Sequence, residues 1–170
     1  MMKTVVLMRH AKAKPQESAE RDFDRRLTHE GRRIARLTAQ QLSDAGIAID
    51  RVIVSAARRT AETGQIVAAA VCPDAPLLAL EELFHAPAEG YAASIREQAD
   101  AADETVLVVG HNPGIGELMS LWAETPLAVS PATAAVFRFD VSDWARLPLR
   151  DRLRGCLDLL ISHGVRVSPD

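Results

Sequence analysis

The chain predicts an α/β fold: a three-layer α/β/α sandwich around a mostly parallel central sheet, with room for an antiparallel edge strand. Three observations predict it. Short apolar runs rich in β-branched residues recur along the sequence. Segments of helical periodicity separate them. No internal repeat, low-complexity tract or linker interrupts the alternation. A strand, a crossover helix and a further strand pair in parallel, which places helices on both faces of the sheet. At 170 residues a single domain over 1–170 is expected, large enough to bury about 70% of the surface of its unfolded chain.

The elements follow in order. Thr4-Val5-Val6-Leu7-Met8 reads as a buried strand. Ala13 to Asp24 is polar and reads as a loop. Leu27, Ile34, Leu37, Leu42 and Ala45 recur at helical spacing, with Gly46 as the stop. Arg51 to Val54 is a second strand. Arg59 to Val71 is an Ala-rich helix ended by Pro73, with Gly64 lowering its propensity. Leu77 to Leu80 is a third strand, and Pro87 to Ala102 a helix with Pro87 in its first turn. Thr105 to Val109 is the clearest strand. A helix from Gly114 to Trp122 and a strand from Ala134 to Asp140 complete the series. Towards the C-terminus, Leu149, Leu153, Leu157 and Leu160 fit a helix, while Leu157 to Ser162 fits an edge strand equally well.

Composition narrows the function classes. Hydrophobic content of 48% and charged content of 25% are those of an ordinary globular chain. A net charge of −3 gives no footing for non-specific nucleic-acid binding or a basic membrane-surface patch, but leaves room for a local basic pocket. Cys72 and Cys156 match no metal or redox spacing and read as small buried hydrophobes. Arg9 and His10 interrupt the first apolar run, so it does not read as a leader, and no run approaches a membrane span of roughly 20 residues; a cytoplasmic protein is expected. There is no His-Glu-x-x-His, no dinucleotide fingerprint among Gly110, Gly114 and Gly116, and no phosphate-binding Gly-Lys-Ser/Thr loop, so neither a metal nor a cofactor is expected. Trp122 and Trp144 read as packing residues.

If the strands are parallel, their exits gather at one edge of the sheet, where such folds bind ligands. The first exit delivers Arg9 and His10, the second Ser55 to Thr60 with Arg58 and Arg59, the third Glu81 and Glu82, and the fourth Gly110-His111-Asn112-Pro113-Gly114. Each group alone has a plain structural reading: an ion pair, a solvated helix start, a turn histidine. Their convergence argues for phosphoryl transfer. Arginine forks hold phosphate oxygens bidentately, with hydrogen bonds to charged groups contributing about 1.5–3 kcal/mol each. A neutral imidazole nitrogen attacks phosphorus, provided that its other nitrogen has an acceptor, such as a main-chain carbonyl, to fix the tautomer. A second imidazole donates to the equatorial oxygens. An Arg at a helix start opposes the helix dipole, which favours a ligand-driven choice at Arg59 and equally at Arg58. His29, His85 and His163 read as surface or loop residues, with His85 near enough to Glu82 to line the rim.

Arg9-His10, the Ser55-x-x-x-Arg59-x-x-x-Thr63 spacing and Gly110-His111-Asn112-Pro113 resemble the histidine phosphatase superfamily, whose members include the phosphoglycerate mutases. Met8-Arg9-His10-Ala11-Lys12-Ala13, Arg26-Leu27-Thr28-x-x-Gly31 and Val109-Gly110-His111-Asn112-Pro113-Gly114 look closer to its SixA branch of phosphohistidine phosphatases, over Val5 to about Phe139. The resemblance implies a phosphoglycerate mutase-like sandwich, His10 as the phosphorylated nucleophile, and Arg9, Arg59 and His111 around the phosphate. It puts Arg25 where the SixA branch carries a further phosphate-side Arg. Glu82, with Glu81 as competitor, stands near the proton donor of mutase-like members. Ala11 departs from the common Arg-His-Gly triplet but fits the SixA-like pattern.

The expected activity is therefore a metal-independent phosphatase with a phosphohistidine intermediate. The substrate expected is phosphohistidine in a protein such as a phosphotransfer domain. A small phosphorylated molecule is the alternative, and a non-catalytic phosphate-binding module a third reading. The stretches Thr60–Pro76 and Phe84–Glu104 have room for about one helix each, which implies an uncapped site.

Overall fold

The computed structural model describes residues 2–149 and 156–168. Its elements run β1 (Lys3–Arg9), α1 (His29–Asp44), β2 (Arg51–Ser55), α2 (Arg58–Val71), β3 (Leu77–Leu80), α3 (Ala88–Gln98), β4 (Thr105–Gly110), α4 (Gly114–Ala123), β5 (Ala134–Phe139), β6 (Cys156–Ser162) and β7 (Val165–Val167). One-turn 3-10 helices lie at Asp22–Asp24, Glu81–Leu83 and Trp144–Arg146. One sheet holds all seven strands in the order β3-β2-β4-β1-β5-β6-β7. β3, β2, β4 and β1 are mutually parallel. β5, β6 and β7 are antiparallel to their neighbours.

The alternation of side chains along a strand divides the core in two. Val5, Leu7, Ile53, Val106, Val108 and Phe137 face one side and pack on Tyr91, Ala92 and Ile95 of α3 and Ile115, Leu118 and Trp122 of α4. Val6, Met8, Val52, Val54, Leu107 and Val109 face the other and meet Ala35, Ala39 and Leu42 of α1 and Val67 and Ala68 of α2. The middles of the central strands, Val5 to Met8, Val52 to Val54 and Val106 to Val109, are unbroken apolar runs because both faces are covered. Gly64 costs α2 some helical propensity but lets it approach the sheet, since a Cβ there would stand 2.5 Å from the Val54 side chain.

The structure extends one sequence expectation, settles another and corrects a third. The antiparallel part is three strands wide instead of a single edge. In the C-terminal region the strand reading holds from Cys156 to Ser162, the helical spacing of Leu157 and Leu160 being incidental, while Leu153 lies outside the described residues. Cys72 is buried as expected, but Cys156 is exposed, because it opens β6 on the strand's uncovered end. Trp122 and Trp144 are both core residues. No helix among the described residues is long and apolar enough to cross a membrane.

Candidate active site

The four parallel strands end at one edge, and their exits meet there. β1 ends in Arg9, and His10 follows it, its backbone N–H donating to Gly110 O of β4 at 3.0 Å. His10 is 8% exposed. Its Nδ1 is 2.7 Å from the carbonyl oxygen of Ala11. A carbonyl only accepts, so Nδ1 carries the proton and Nε2 is left with its lone pair. Burial, augmented by the nearby Arg59, Arg9 and Arg25, pushes the His10 pKa down to about 4 against the opposing Ala11 hydrogen bond. The imidazole is neutral at pH 7.

α2 supplies the next group. Ser55, Arg59 and Thr63 stand four residues apart, so the helix brings Arg59 and Thr63 to one face. The Thr63 hydroxyl accepts from Ala11 N at 3.0 Å and donates to Arg59 O at 2.7 Å, tying the residue after His10 to the helix. Arg59, 5% exposed, aims Nε–H at His10 Nε2 across 3.3 Å. The other end of its guanidinium is held by Asp22, through the main-chain oxygen at 2.8 Å and Oδ2 at 3.2 Å. Burial holds the Arg59 pKa below its ordinary value. Arg58, one residue earlier, instead pairs with Glu62 on the exposed face of α2.

Asp22 belongs to the loop between β1 and α1. That loop returns to the site because Ala13 bridges Leu27 and because Lys12 O receives both the backbone N–H and the hydroxyl of Thr28. Thr28 also caps α1 by accepting from Gly31 N at 2.9 Å. A Cβ on Gly31 would collide with Lys12 O, which gives the Leu-Thr-x-x-Gly pattern its physical reason. Arg25 reaches Asp22 Oδ1 at 2.8 Å and Lys14 O at 2.9 Å. Burial works to raise the Asp22 pKa, but hydrogen bonds and charge from Arg25 and Arg59 hold it below the usual carboxylate range.

β4 delivers His111, 6% exposed, with its ring centroid 5.2 Å from that of His10. Its Nε2 lies 2.8 Å from Ser55 Oγ, and its backbone N–H donates to the Tyr91 hydroxyl at 2.9 Å. Burial, with Arg59 adding to it, pushes the His111 pKa down to about 3. On the far side, Arg9 donates from Nη1 to Val129 O at 3.0 Å. Among the described residues, Arg9 Nε and His111 Nδ1 are buried side-chain polar atoms without a hydrogen-bond partner. Ser55 Oγ accepts from Ala57 N at 3.4 Å and keeps both a proton and a lone pair, so it can serve either tautomer of His111; in the one where Ser55 donates to Nε2, the ring proton sits on Nδ1. His111 Nδ1–H is then a donor, as Arg9 Nε–H must be. Two unpartnered donors beside a neutral imidazole constitute an anion site.

The structure thus brings His10, Arg9, Arg59, His111 and, through Asp22, Arg25 to one place. Glu82 and Glu81 lie exposed in the 3-10 turn after β3, with no hydrogen bond or ion pair to any of these residues. That turn instead delivers Phe84, whose ring lies edge-on to His111 at 5.5 Å and to Phe23 at 5.1 Å, with the Arg59 guanidinium 5.6 Å from its centroid. His85 reaches the rim as well, its ring 4.1 Å from that of Phe84 and tilted by 45° to it. Sequence reasoning missed Asp22, Phe23 and Phe84, which lie in segments without periodicity; the Asp-x-x-Arg spacing of Asp22 and Arg25 was the available signal. It also left Tyr91 as an ordinary helix residue. Among the described residues no three His, Cys, Asp or Glu side chains group so as to hold a metal ion.

A sequence profile described as the histidine phosphatase superfamily (branch 1) matches residues 5–103. An uncharacterised protein of Picosynechococcus is 29% identical over 116 residues, which is 68% of either chain. Among solved structures, a candidate phosphohistidine phosphatase SixA from Agrobacterium tumefaciens has a TM-score of 0.77 at 25% identity, covering 94% of this chain and 97% of that one. Another candidate SixA, from Nakamurella, has a TM-score of 0.77 at 30% identity, covering 95% and 96% respectively. With more than half of its length matched by the profile and the Nakamurella likeness running nearly end to end, the chain belongs to the histidine phosphatase superfamily and is of the SixA type.

Proposed function

We propose that this phosphatase hydrolyses phosphohistidine in a protein substrate through a covalent phosphate on His10. The observation that carries the reading is the fixed tautomer of His10: Nδ1 donates to the Ala11 carbonyl, and the unprotonated Nε2 meets only the long Arg59 Nε–H contact, with the His111 ring 5.2 Å away. In the first step Nε2 attacks phosphorus and a new N–P bond forms while the P–N bond to the substrate breaks, its electron pair going to a substrate imidazole already protonated from solvent at its other nitrogen, which leaves neutral. Arg9 Nε–H, Arg59 and His111 Nδ1–H take the charge that spreads over the equatorial oxygens. Water then attacks the phosphohistidine in line, releasing phosphate and restoring neutral His10.

Two features support a protein substrate. An imidazole bound through nitrogen leaves readily once protonated, so a site whose carboxylates Glu81 and Glu82 stand apart from the clamps suits a P–N bond better than a phosphate ester. The segments that would carry a cap are filled by α2 and α3, which pack on the sheet. The two candidate SixA structures carry the name of this activity.

The test is to mix the protein with a phosphotransfer domain phosphorylated on histidine. The expected result is loss of the substrate phosphohistidine and an acid-labile phosphate on His10 by mass spectrometry, both abolished in His10→Ala. Undiminished phosphohistidine alongside rapid hydrolysis of a sugar phosphate would assign the protein to small-molecule chemistry instead.

A further inference from the structure

The four phenylalanines divide into two pairs. Phe137 and Phe139 are fully buried in the core on the α3–α4 face. Phe23 and Phe84 belong to neither core cluster and are only half-buried. They come from different segments, the β1–α1 loop and the turn after β3, and meet edge to face at 5.1 Å. Phe84 touches the two groups that face the anion site, with Arg59 over its ring at 5.6 Å and His111 edge-on at 5.5 Å, while the His85 ring lies against it at 4.1 Å, tilted by 45°. Two large apolar rings that pack on each other and on a guanidinium, outside the core, leave apolar surface beside a charged pocket. Such surface is retained where a ligand covers it.

We propose that Phe23 and Phe84, with His85 at the rim, form an aromatic wall that receives a planar ring attached to the transferred phosphate. The proposal rests on the reading of the site as a phosphatase and specifies its leaving group. Rings prefer edge-to-face or offset contact, and the two phenylalanines already adopt the former with each other. An imidazole or phenyl group held there gains contact that an alkyl chain or a sugar hydroxyl does not match. Aromatic pairs of this kind contribute beyond area alone, so the wall discriminates among phosphates that the clamps treat alike.

The experiment uses four probes on wild type, Phe84→Leu and Phe23→Leu: N-phosphoimidazole, phenyl phosphate, an alkyl phosphate such as phosphoserine, and inorganic phosphate as a competitive inhibitor. The proposal expects the ratio of kcat/KM for either ring-bearing substrate to that for the alkyl phosphate to fall about tenfold in Phe84→Leu, and by a smaller factor in Phe23→Leu. The rise should lie in KM, not kcat. Phe23 has no ring contact to Arg59 or His111, so its variant thins the wall without touching the clamps. A uniform loss across all substrates, matched by weaker inhibition by inorganic phosphate, would reduce Phe84 to a support for Arg59 and overturn the wall. Unchanged ratios in both variants would overturn it too. Failure of the functional reading is separable: wild type that ignores N-phosphoimidazole but cleaves phenyl phosphate loses the phosphohistidine assignment, while the phenyl-to-alkyl ratio still decides the wall.

Discussion

His10 and His111 share a buried space with three arginines, and their neutrality has a measurable consequence. An unfolded histidine titrates near 6.5, whereas burial takes His10 to about 4 and His111 to about 3. Between those values the unfolded chain binds more protons than the folded one. Stability contributed by the two neutral imidazoles is complete above pH 6.5 and is lost as pH falls through 4 for His10 and 3 for His111, a loss on the order of several kcal/mol. Nitrogen-detected NMR should show both rings neutral at pH 5.5, and denaturant melts should weaken steadily from pH 6.5 downwards. A His10 titration centred near 6.5 would refute the depressed value. Asp22 makes a second prediction at this scale. It holds Arg59 by the end remote from His10 and braces Arg25 as well. Asp22→Ala should cut kcat/KM by about tenfold, given that hydrogen bonds to charged groups contribute about 1.5–3 kcal/mol. In an Arg59→Ala background the same substitution should cost little more, because Asp22 acts through that guanidinium. Additive losses in the double-mutant cycle would show that it acts elsewhere.

Among the elements, the joint between the β1–α1 loop and α1 carries more than helix stability. Thr28 caps α1 and ties it to Lys12, two residues past the proposed nucleophile. Thr28→Ala should lower stability by about 1 kcal/mol, as losing an N-cap does, and Gly31→Ala should cost more because its Cβ meets a main-chain oxygen that cannot move without shifting the nucleophile loop. Thermal melts of the two variants check the order. This joint also shows how much a sequence reveals. β1, β2 and β4 were legible because both faces of the sheet are covered and the middle of each strand is an unbroken apolar run. Arg9, His10, Arg59 and His111 were legible because they follow those strands directly. β7 escaped notice because its three residues are all exposed and carry no buried pattern. β6 was ambiguous because leucines spaced by three and four fit a helix and only pairing with β5 decides otherwise. Asp22, Phe23 and Phe84 escaped because their positions come from a fold-back and a turn, which leave no period in the chain.

For the molecule as a whole, chemistry and stability occupy opposite edges of the sheet. At the edge where the parallel strands begin, Asp103 receives Arg51 through its carboxylate and Lys3 and Trp144 through its main-chain oxygen, with Arg51 also reaching Asp100. The Arg51 and Asp103 side chains are each 11% exposed. Asp103→Ala removes the buried half of this cluster and leaves Arg51 only the exposed Asp100, so it should cost about 2 kcal/mol, the range of a hydrogen bond to a charged group. Since that edge lies at the opposite ends of the strands from His10, kcat/KM measured well below the lowered melting temperature should not change. A matching loss of activity under those conditions would show that the two edges are coupled.

β5 runs against the parallel strands, and that reversal carries the segment before it to the edge where the others finish. Val129 O holds Arg9 and Asn112, Ala132 N donates to the carbonyls of Arg9 and His10, and Thr133 O accepts from Arg9 N. Residues more than a hundred positions apart therefore close one pocket. Contacts of such separation form late, because the intervening chain must be ordered before they are rewarded. A nascent chain that has laid down β1 to β4 would hold His10 and both helical layers, yet lack the carbonyls that aim Arg9. Turnover of phosphate is accordingly a report on completed folding: it should appear in a refolding time course only after the helices have formed, in step with docking of β5.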